Sequence, residues 1–180
     1  MMSTPPLFEI VPFELGHILA AEVQLQQESD AEYLKAIGSV PGVAYSFFVG
    51  DFWAGSAGAI PLWTGRCQAW GMFPPSMPGH SMLWFTRATR DFVDFILDGI
   101  VRRVEMTVCS TFERGLRWAK VLGFTAEGLM KCYDPVGRDH VLFARTNDGN
   151  RDPSIGGSRG IWRGRSRWSD WSDSIRAKLC

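Results

Sequence analysis

Residues 117–128 read Arg-Trp-Ala-Lys-Val-Leu-Gly-Phe-Thr-Ala-Glu-Gly, and they fix more of the architecture than any other segment. Their first half completes a helix predicted over residues 112–122, because Gly123 is the residue type that commonly ends a helix. Their second half begins a strand predicted over residues 126–133. A turn around 135–137 joins it to a last strand over 140–145. The sequence therefore predicts a helix followed at once by a hairpin.

Upstream of this segment, helical and strand patterns alternate along the chain. The strongest helical pattern covers residues 81–97, with aromatic residues on one face and charged residues on the other. The other predicted elements are strands 7–11, 43–49, 52–62, 68–73 and 104–108, and helices 13–27 and 31–37. The order β-α-α-β-β-β-α-β-α-β-β predicts an α/β fold with a mixed sheet. Helix 81–97 makes a parallel crossover between strands 68–73 and 104–108.

Composition divides the chain near Thr146. The whole sequence has 180 residues, 46% of them hydrophobic, with 19 basic and 19 acidic side chains, which excludes wholesale disorder and a fibrous protein. Residues 1–145 carry a net charge of −3, whereas residues 146–180 carry +3 and are rich in Gly, Ser and Arg. We therefore predict a folded domain over 1–145 and a basic arm over 146–180. Trp171, Ile175 and Leu179 place a short amphipathic helix at the end of the arm.

Four isolated cysteines form no CxxC pair and have no histidine at a zinc-binding spacing, so neither a metal site nor a disulfide framework is expected. His17 and His140 likewise have no metal partner by spacing. The N-terminus lacks the features of a signal peptide, and no apolar run is long enough to span a membrane. We expect a protein made in the cytoplasm that has no membrane partner.

The order of elements, together with Leu122-Gly123-Phe124 after a helix and Gly137-Arg138-Asp139 in the last hairpin, resembles the GNAT superfamily of N-acetyltransferases. The resemblance covers about residues 7–145. The long helix, with Trp-Phe-Thr-Arg-Ala-Thr-Arg at 84–90, most resembles a divergent branch found in tailed bacteriophages and prophages. Some members of that branch are internal virion or head-associated proteins.

The resemblance implies where acetyl-CoA would lie. The thioester would sit between strands 68–73 and 104–108, with its carbonyl facing the backbone amide of Met72 or Phe73. The coenzyme's diphosphate would meet the next segment, residues 73–81, which reads Phe-Pro-Pro-Ser-Met-Pro-Gly-His-Ser. Its three prolines remove three donor amides, which leaves only Gly79 and the amides of His80 and Ser81 to bind the anion.

Two further positions depart from the family pattern: Phe112 stands where Asn is common, and Ala119 where the thiolate-protonating Tyr is common. Tyr133, the nearest tyrosine in sequence, belongs to the hairpin. The resemblance leaves Glu105 and His80 as candidate catalytic residues. A solvated strand carboxylate is an equal alternative for Glu105, and a polar helix-opening residue is the favoured alternative for His80.

The arm interleaves the two side chains that are most enriched at binding hot spots, Trp and Arg. A protein surface, its own or a neighbour's, is favoured as its target over nucleic acid. The partner-binding candidates are Arg159, Trp162, Arg163, Arg165, Arg167, Trp168 and Trp171.

Two main hypotheses follow. The first is a catalytically degenerate acetyltransferase-fold protein of phage type, associated with a virion or its assembly in a host bacterium. It would dock through its arm onto a virion component or a second copy of itself. The second is an active acetyl-CoA-dependent N-acetyltransferase acting on a protein or a small amine. Nucleic-acid binding by the arm is a third hypothesis and would depend steeply on salt.

Overall fold

The computed structural model describes residues 8–19, 21–37, 42–77, 79–147 and 172–179. Its strands are β1 (Phe8–Pro12), β2 (Val43–Val49), β3 (Phe52–Trp63), β4 (Arg66–Met72), β5 (Arg103–Cys109), β6 (Thr125–Met130) and β7 (His140–Thr146). Its helices are α1 (Gly16–Leu19), α2 (Glu28–Ile37), α3 (Gly79–Leu97), α4 (Glu113–Val121) and α5 (Ser172–Leu179). The predicted order of elements and the mixed α/β class are confirmed.

The seven strands form one sheet in the order β1-β2-β3-β4-β5-β7-β6. All neighbouring strands are antiparallel except β4 and β5, which are parallel because α3 crosses from the end of one to the start of the other. The single parallel pair therefore lies in the middle of the sheet, as predicted.

Buried apolar residues cover both faces of the sheet. The larger cluster joins α3, α4 and α5 to one face, through residues such as Phe85, Leu122 and Ile175. The smaller cluster joins α1 and α2 to the other face, through Ile18 and Leu34. We call these faces the α4 side and the α2 side. A gap between two strands of this sheet would therefore have helices above and below it.

The first helical region is shorter than predicted. In place of one helix over 13–27, the structure has α1, which is four residues long, and a 3-10 turn, Leu25–Gln27. The apolar stripe on which the prediction relied does not continue into the core, since Leu19 is 57% exposed. The backbone N–H of Gln24 instead donates to the carbonyl of Phe73 (3.2 Å), which draws this segment towards the end of β4.

The terminal helix α5 packs against the sheet. Ile175 and Leu179 are fully buried in the larger cluster, and the Arg176 guanidinium donates to the carbonyl of Gly99 (3.0 Å). This helix lies where the sequence predicts the amphipathic one, and Trp171 of the predicted stripe lies outside the described residues. The division of the chain at residue 145 stays a prediction. Among the described residues, no helix is both long and apolar enough to cross a membrane.

Candidate functional site

The parallel strands β4 and β5 separate after a short paired stretch. Their register pairs Arg66 with Arg103, Cys67 with Val104 and Gln68 with Glu105, and it ends there. Beyond that point, residues 69–72 pair only with β3 and residues 106–109 only with β7. The sheet therefore opens into a wedge at the position that the family resemblance implies.

A cavity of about 390 Å³ fills this wedge, and we call it the wedge cavity. It reaches from α4 on one side of the sheet to α2 on the other, because residues of both helices line it. Two strands form its long walls, through residues 68–73 in and just after β4 and residues 106–109 of β5. The other lining residues are Phe112, Gly115 and Trp118 at α4, Gln26 and Gln27 of the 3-10 turn, Leu34 of α2, Ile60, Tyr133 and His140.

A chain of ion pairs holds β4 and β5 together at the closed end of the wedge. Glu105 accepts hydrogen bonds from Arg66 (2.5 Å) and Arg103, and Arg103 also binds Glu127 on β6. Burial alone would raise the pKa of Glu105, but the hydrogen bonds from Arg66 and Arg103 hold that pKa below its usual value. Both carboxylate oxygens are thus engaged in joining the strands.

Glu105 therefore lies beside the wedge cavity but does not line it. Its proposed role as a base stays a prediction, and the two ion pairs give it a structural one. The side chain is buried and paired with arginines, so it is not the solvated strand carboxylate that the sequence offered as the alternative.

A side-chain amide occupies the open edge of β4. The Gln27 carboxamide donates to the carbonyl of Gly71 (2.6 Å) and accepts from the backbone N–H of Phe73 (3.0 Å). The amide of Phe73, which the resemblance aims at the thioester, is therefore already bonded. Met72 pairs with Ser56 of β3, and its side chain lies in the cluster on the α2 side.

The residues after β4 place the remaining predicted ligands away from the cavity. Pro74 is buried, Pro75 is exposed, and α3 begins at Gly79. Gly79 and His80 are exposed, and the His80 ring lies 6.3 Å from the ring of Phe8 at the β1 edge. Ser81 is fully buried. None of these three residues lines the wedge cavity, so their roles stay predictions.

A second cavity of about 410 Å³, the outer cavity, adjoins the first, since Gln26 and Phe112 line both. Its walls include Pro75 and the exposed Arg114 and Arg117 of α4. These guanidiniums place positive charge beside the loop in which three prolines have no donor amide. Their spacing of three residues on one face of a helix was the available sequence signal, and the sequence analysis did not use it.

At α4, the two positions that depart from the family pattern carry apolar side chains, and only Phe112 lines the wedge cavity. Ala119 is fully buried, and the Phe112 ring packs over Gly115, where an added Cβ would lie 2.4 Å from that ring. The Trp118 indole lines the cavity, and its N–H donates to the Thr86 hydroxyl (3.0 Å). No residue of this helix presents a free acid to the wedge.

The last hairpin contributes a buried histidine that the sequence analysis set aside. In the sheet, His140 is the partner of Cys109, which places it at the open end of β5. The Asp134 carboxylate lies 3.4 Å from Nε2 of His140. Tyr133, with its ring 4.9 Å from that of His140, lines the same cavity. The pairing of β7 with β5 brings these residues to the wedge. That pairing joins segments distant in sequence, so it could not be predicted from the residue types alone.

The seven arm residues predicted to bind a partner, Arg159 to Trp171, lie outside the described part of the chain. Within the described part, no cluster of three His, Cys, Asp or Glu side chains is arranged to hold a metal ion.

Solved structures with this fold include three acetyltransferases. The GNAT-family acetyltransferase from Bacillus anthracis is 12% identical with a TM-score of 0.58, over 79% of this chain and 96% of that one. The ribosomal-protein-S5-alanine acetyltransferase from Vibrio fischeri is 13% identical with a TM-score of 0.56, over 78% and 93%. The microcin C7 self-immunity acetyltransferase MccE, in complex with acetyl-CoA and AMP, is 13% identical with a TM-score of 0.53, over 66% and 67%.

No family model matches the sequence, and neither does any curated protein. The structural likeness shows that the chain has the GNAT acetyltransferase fold. The narrower resemblance to a phage branch stays a prediction.

Proposed function

We propose that this protein is an acetyl-CoA-dependent N-acetyltransferase. The observation that carries the proposal is the wedge, where two parallel strands separate around a cavity of about 390 Å³. An opened sheet leaves strand-edge backbone groups available to a ligand that lies between the strands. A fold neighbour in complex with acetyl-CoA supports this choice of substrate.

The chain's own residues fit acetyl-CoA as follows. The pantetheine arm would lie along residues 69–73, on the strand edge that faces the wedge cavity. Arg114 and Arg117 in the outer cavity would bind the phosphates, replacing the amides that the prolines remove. Acetyl-CoA supplies an activated acetyl thioester. The protein would place the thioester carbonyl at the amide of Phe73 once Gln27 releases that amide.

The acceptor would approach from the α2 side, opposite the coenzyme. The wedge cavity reaches the α2 side at Gln26 and Gln27 of the 3-10 turn and at Leu34 of α2, so an amine entering there would meet the thioester between the strands. Binding both substrates in one cavity converts a bimolecular reaction into a reaction within a single complex.

The test is transfer of a labelled acetyl group from acetyl-CoA to two acceptor probes, spermidine and a peptide that begins with alanine. The peptide is chosen because a fold neighbour is a ribosomal-protein-S5-alanine acetyltransferase. Thr107→Phe fills the wedge from the half-buried middle of β5 and is expected to abolish transfer. Thr125→Phe, the same change at an exposed position on β6, is the matched control and should leave transfer intact.

A second candidate function is a catalytically degenerate, virion-associated protein that docks through its basic arm. The proline-interrupted loop, the Phe73 amide bonded to Gln27, and Ala119 in place of an acid favour it. Replacing the arm's tryptophans and arginines within 159–171 by Ser should then abolish partner binding or self-association, with α5 left in place. Association of that variant as tight as the wild type's would contradict this candidate. A steep loss of arm binding to oligonucleotides with added salt would favour nucleic acid instead.

A further inference from the structure

From the surroundings of His140, we infer that it is the residue that removes a proton from the acceptor amine, and that Asp134 positions it. The inference rests on the proposed function and adds to it a base that lines the wedge cavity, which Glu105 and His80 do not.

His140 lies on the side of the sheet from which the acceptor would come. On β5, Val108 faces α4, because its Cγ1 lies 2.9 Å from where a Cβ on Gly115 would stand. Neighbouring residues of a strand face opposite sides, so Cys109 faces the α2 side. His140 pairs directly with Cys109 and therefore shares that side.

Asp134 is fixed as a carboxylate. Its Oδ1 accepts the backbone N–H groups of Val136 (3.2 Å) and Arg138 (2.7 Å), and its Oδ2 accepts the Arg138 guanidinium. Burial opposes ionisation, but these bonds from Arg138 and the contact with His140 lower the pKa of Asp134 to about 2. The side chain is thus negatively charged across the working pH range.

A charged Asp134 selects one tautomer of His140. The carboxylate lies 3.4 Å from Nε2, so the ring hydrogen belongs on Nε2, and the lone pair then belongs to Nδ1. The His140 side chain is 92% buried, as its relative exposure is 8%, and Nδ1 has no hydrogen-bond partner among the described residues. A buried imidazole nitrogen without a partner is costly unless a ligand supplies the proton that it accepts.

Among the described residues around the imidazole, Nδ1 is the basic atom suited to this task. The side chains nearby are Asp134 and Arg138, which are bonded to each other, Tyr133 on the hairpin, and Cys109 on β5. On the α2 side the cavity is lined by Gln26 and Gln27 of the 3-10 turn and by Leu34 of α2, none of which titrates.

The proton balance of the reaction closes with this single base. Nδ1 takes one proton from the acceptor ammonium, and the nitrogen lone pair that is freed forms the C–N bond at the thioester carbonyl. The C–S bond breaks, and its electron pair goes to the CoA sulfur. The second amine proton goes to that sulfur, so the Tyr absent at Ala119 is not required. His140 afterwards returns its proton to water.

The experiment measures acetyl-CoA binding by calorimetry, and acetyl transfer to spermidine and to the alanine-initiated peptide across pH. His140→Gln should bind acetyl-CoA as the wild type does and lose about 100-fold or more in kcat. The rate of the wild type should fall at low pH, and the rate of this variant should not show that fall. Imidazole added to His140→Ala should restore part of the rate. His17→Gln, the same change outside the cavity, is the matched control and should behave as the wild type.

Asp134→Asn provides a second variant, because Asn keeps an oxygen for the two backbone amides but removes the charge. It should lower kcat by about tenfold with little change in KM and should move the acid side of the profile. If His140→Gln fails to fold, the kcat and the pH profile of Asp134→Asn test the inference instead. Wild-type kcat and an unchanged profile in a folded variant would overturn the inference, as would failure of imidazole to rescue folded His140→Ala. A wild type that neither binds nor transfers overturns the proposed function as well.

Discussion

Gln27 occupies backbone groups on β4 that acetyl-CoA would need in order to bind. Its carboxamide bridges the carbonyl of Gly71 and the N–H of Phe73 on the open edge of β4. The proposed function requires the Phe73 amide to meet a thioester carbonyl, so the two acceptors, Gln27 and substrate, compete for one donor.

Gln27→Ala removes that competition. We expect its free energy of unfolding to fall by about 1–2 kcal/mol, because the buried Phe73 amide loses its partner. We expect acetyl-CoA to bind about fivefold more tightly, since it no longer displaces a hydrogen bond worth about 1 kcal/mol. Urea unfolding and calorimetry measure the two effects. CoA, which has no acetyl carbonyl, is the control ligand and should show little gain. An equal gain for CoA would show that Gln27 acts elsewhere.

Individual residue roles were the part of the site least accessible from the sequence. Glu105 was correctly placed on the strand beside the wedge, but its two arginine partners depend on the register of β4 and β5. His140 was set aside because only metal spacings were considered for it, and its orphaned Nδ1 becomes apparent only with the hairpin folded. Side-chain identity constrains the chemistry that is available, whereas partners are set by contacts between residues distant in sequence.

At the scale of elements, the wedge exists because β4 and β5 are joined at one end and free at the other. Ion pairs at the closed end join residues of three strands. They run from Arg66 on β4 through Glu105 and Arg103 on β5 to Glu127 on β6. They oppose separation of the strands there, while the open end has no interstrand pairing to lose.

Glu105→Gln tests this clamp through its pH dependence. The folded state lowers the pKa of Glu105, so its contribution to stability is present above the ordinary glutamate pKa. That contribution is lost as pH falls through the lowered, folded-state pKa. We expect the variant to be about 2 kcal/mol less stable than the wild type at pH 7, and the difference to shrink towards pH 3.

Urea unfolding at the two pH values measures this difference. Glu32→Gln, which breaks an exposed pair with Lys35 on α2, is the control and should change stability little at either pH. A difference for Glu105→Gln that stayed constant with pH would contradict the clamp.

Most elements were predictable because their patterns are local. The apolar run at β2, the two-faced pattern of α3 and the Gly123 that follows α4 each place an element within a few residues of its observed bounds. The region of α1 was not predictable in the same way. Its chain direction is set by the bond from Gln24 to the carbonyl of Phe73, which is 49 residues away in sequence.

At the scale of the whole molecule, α5 ties the end of the chain to the sheet. Ile175 is fully buried against the core on the α4 side, although residues 147–167 have the composition of an unfolded arm. The described part of the arm, α5, therefore belongs to the folded core.

Ile175→Asp should disrupt this attachment. Burying a carboxylate among apolar residues is expected to lower stability by about 3 kcal/mol or more, or to release α5 from the sheet. Thermal unfolding and protease sensitivity at the C-terminus would detect either result. Ala177→Asp, at an exposed position of the same helix, is the matched control and should change stability by less than about 1 kcal/mol. Equal stability of the two variants would show that α5 does not contribute to the core.

The proposed function depends on the wedge being a binding site for acetyl-CoA. Calorimetric titration of the full chain with acetyl-CoA tests this directly, with Thr107→Phe and Thr125→Phe titrated alongside. We expect micromolar binding by the wild type and by Thr125→Phe, and none by Thr107→Phe. Absence of binding by the folded wild type, or equal binding by both variants, would contradict it.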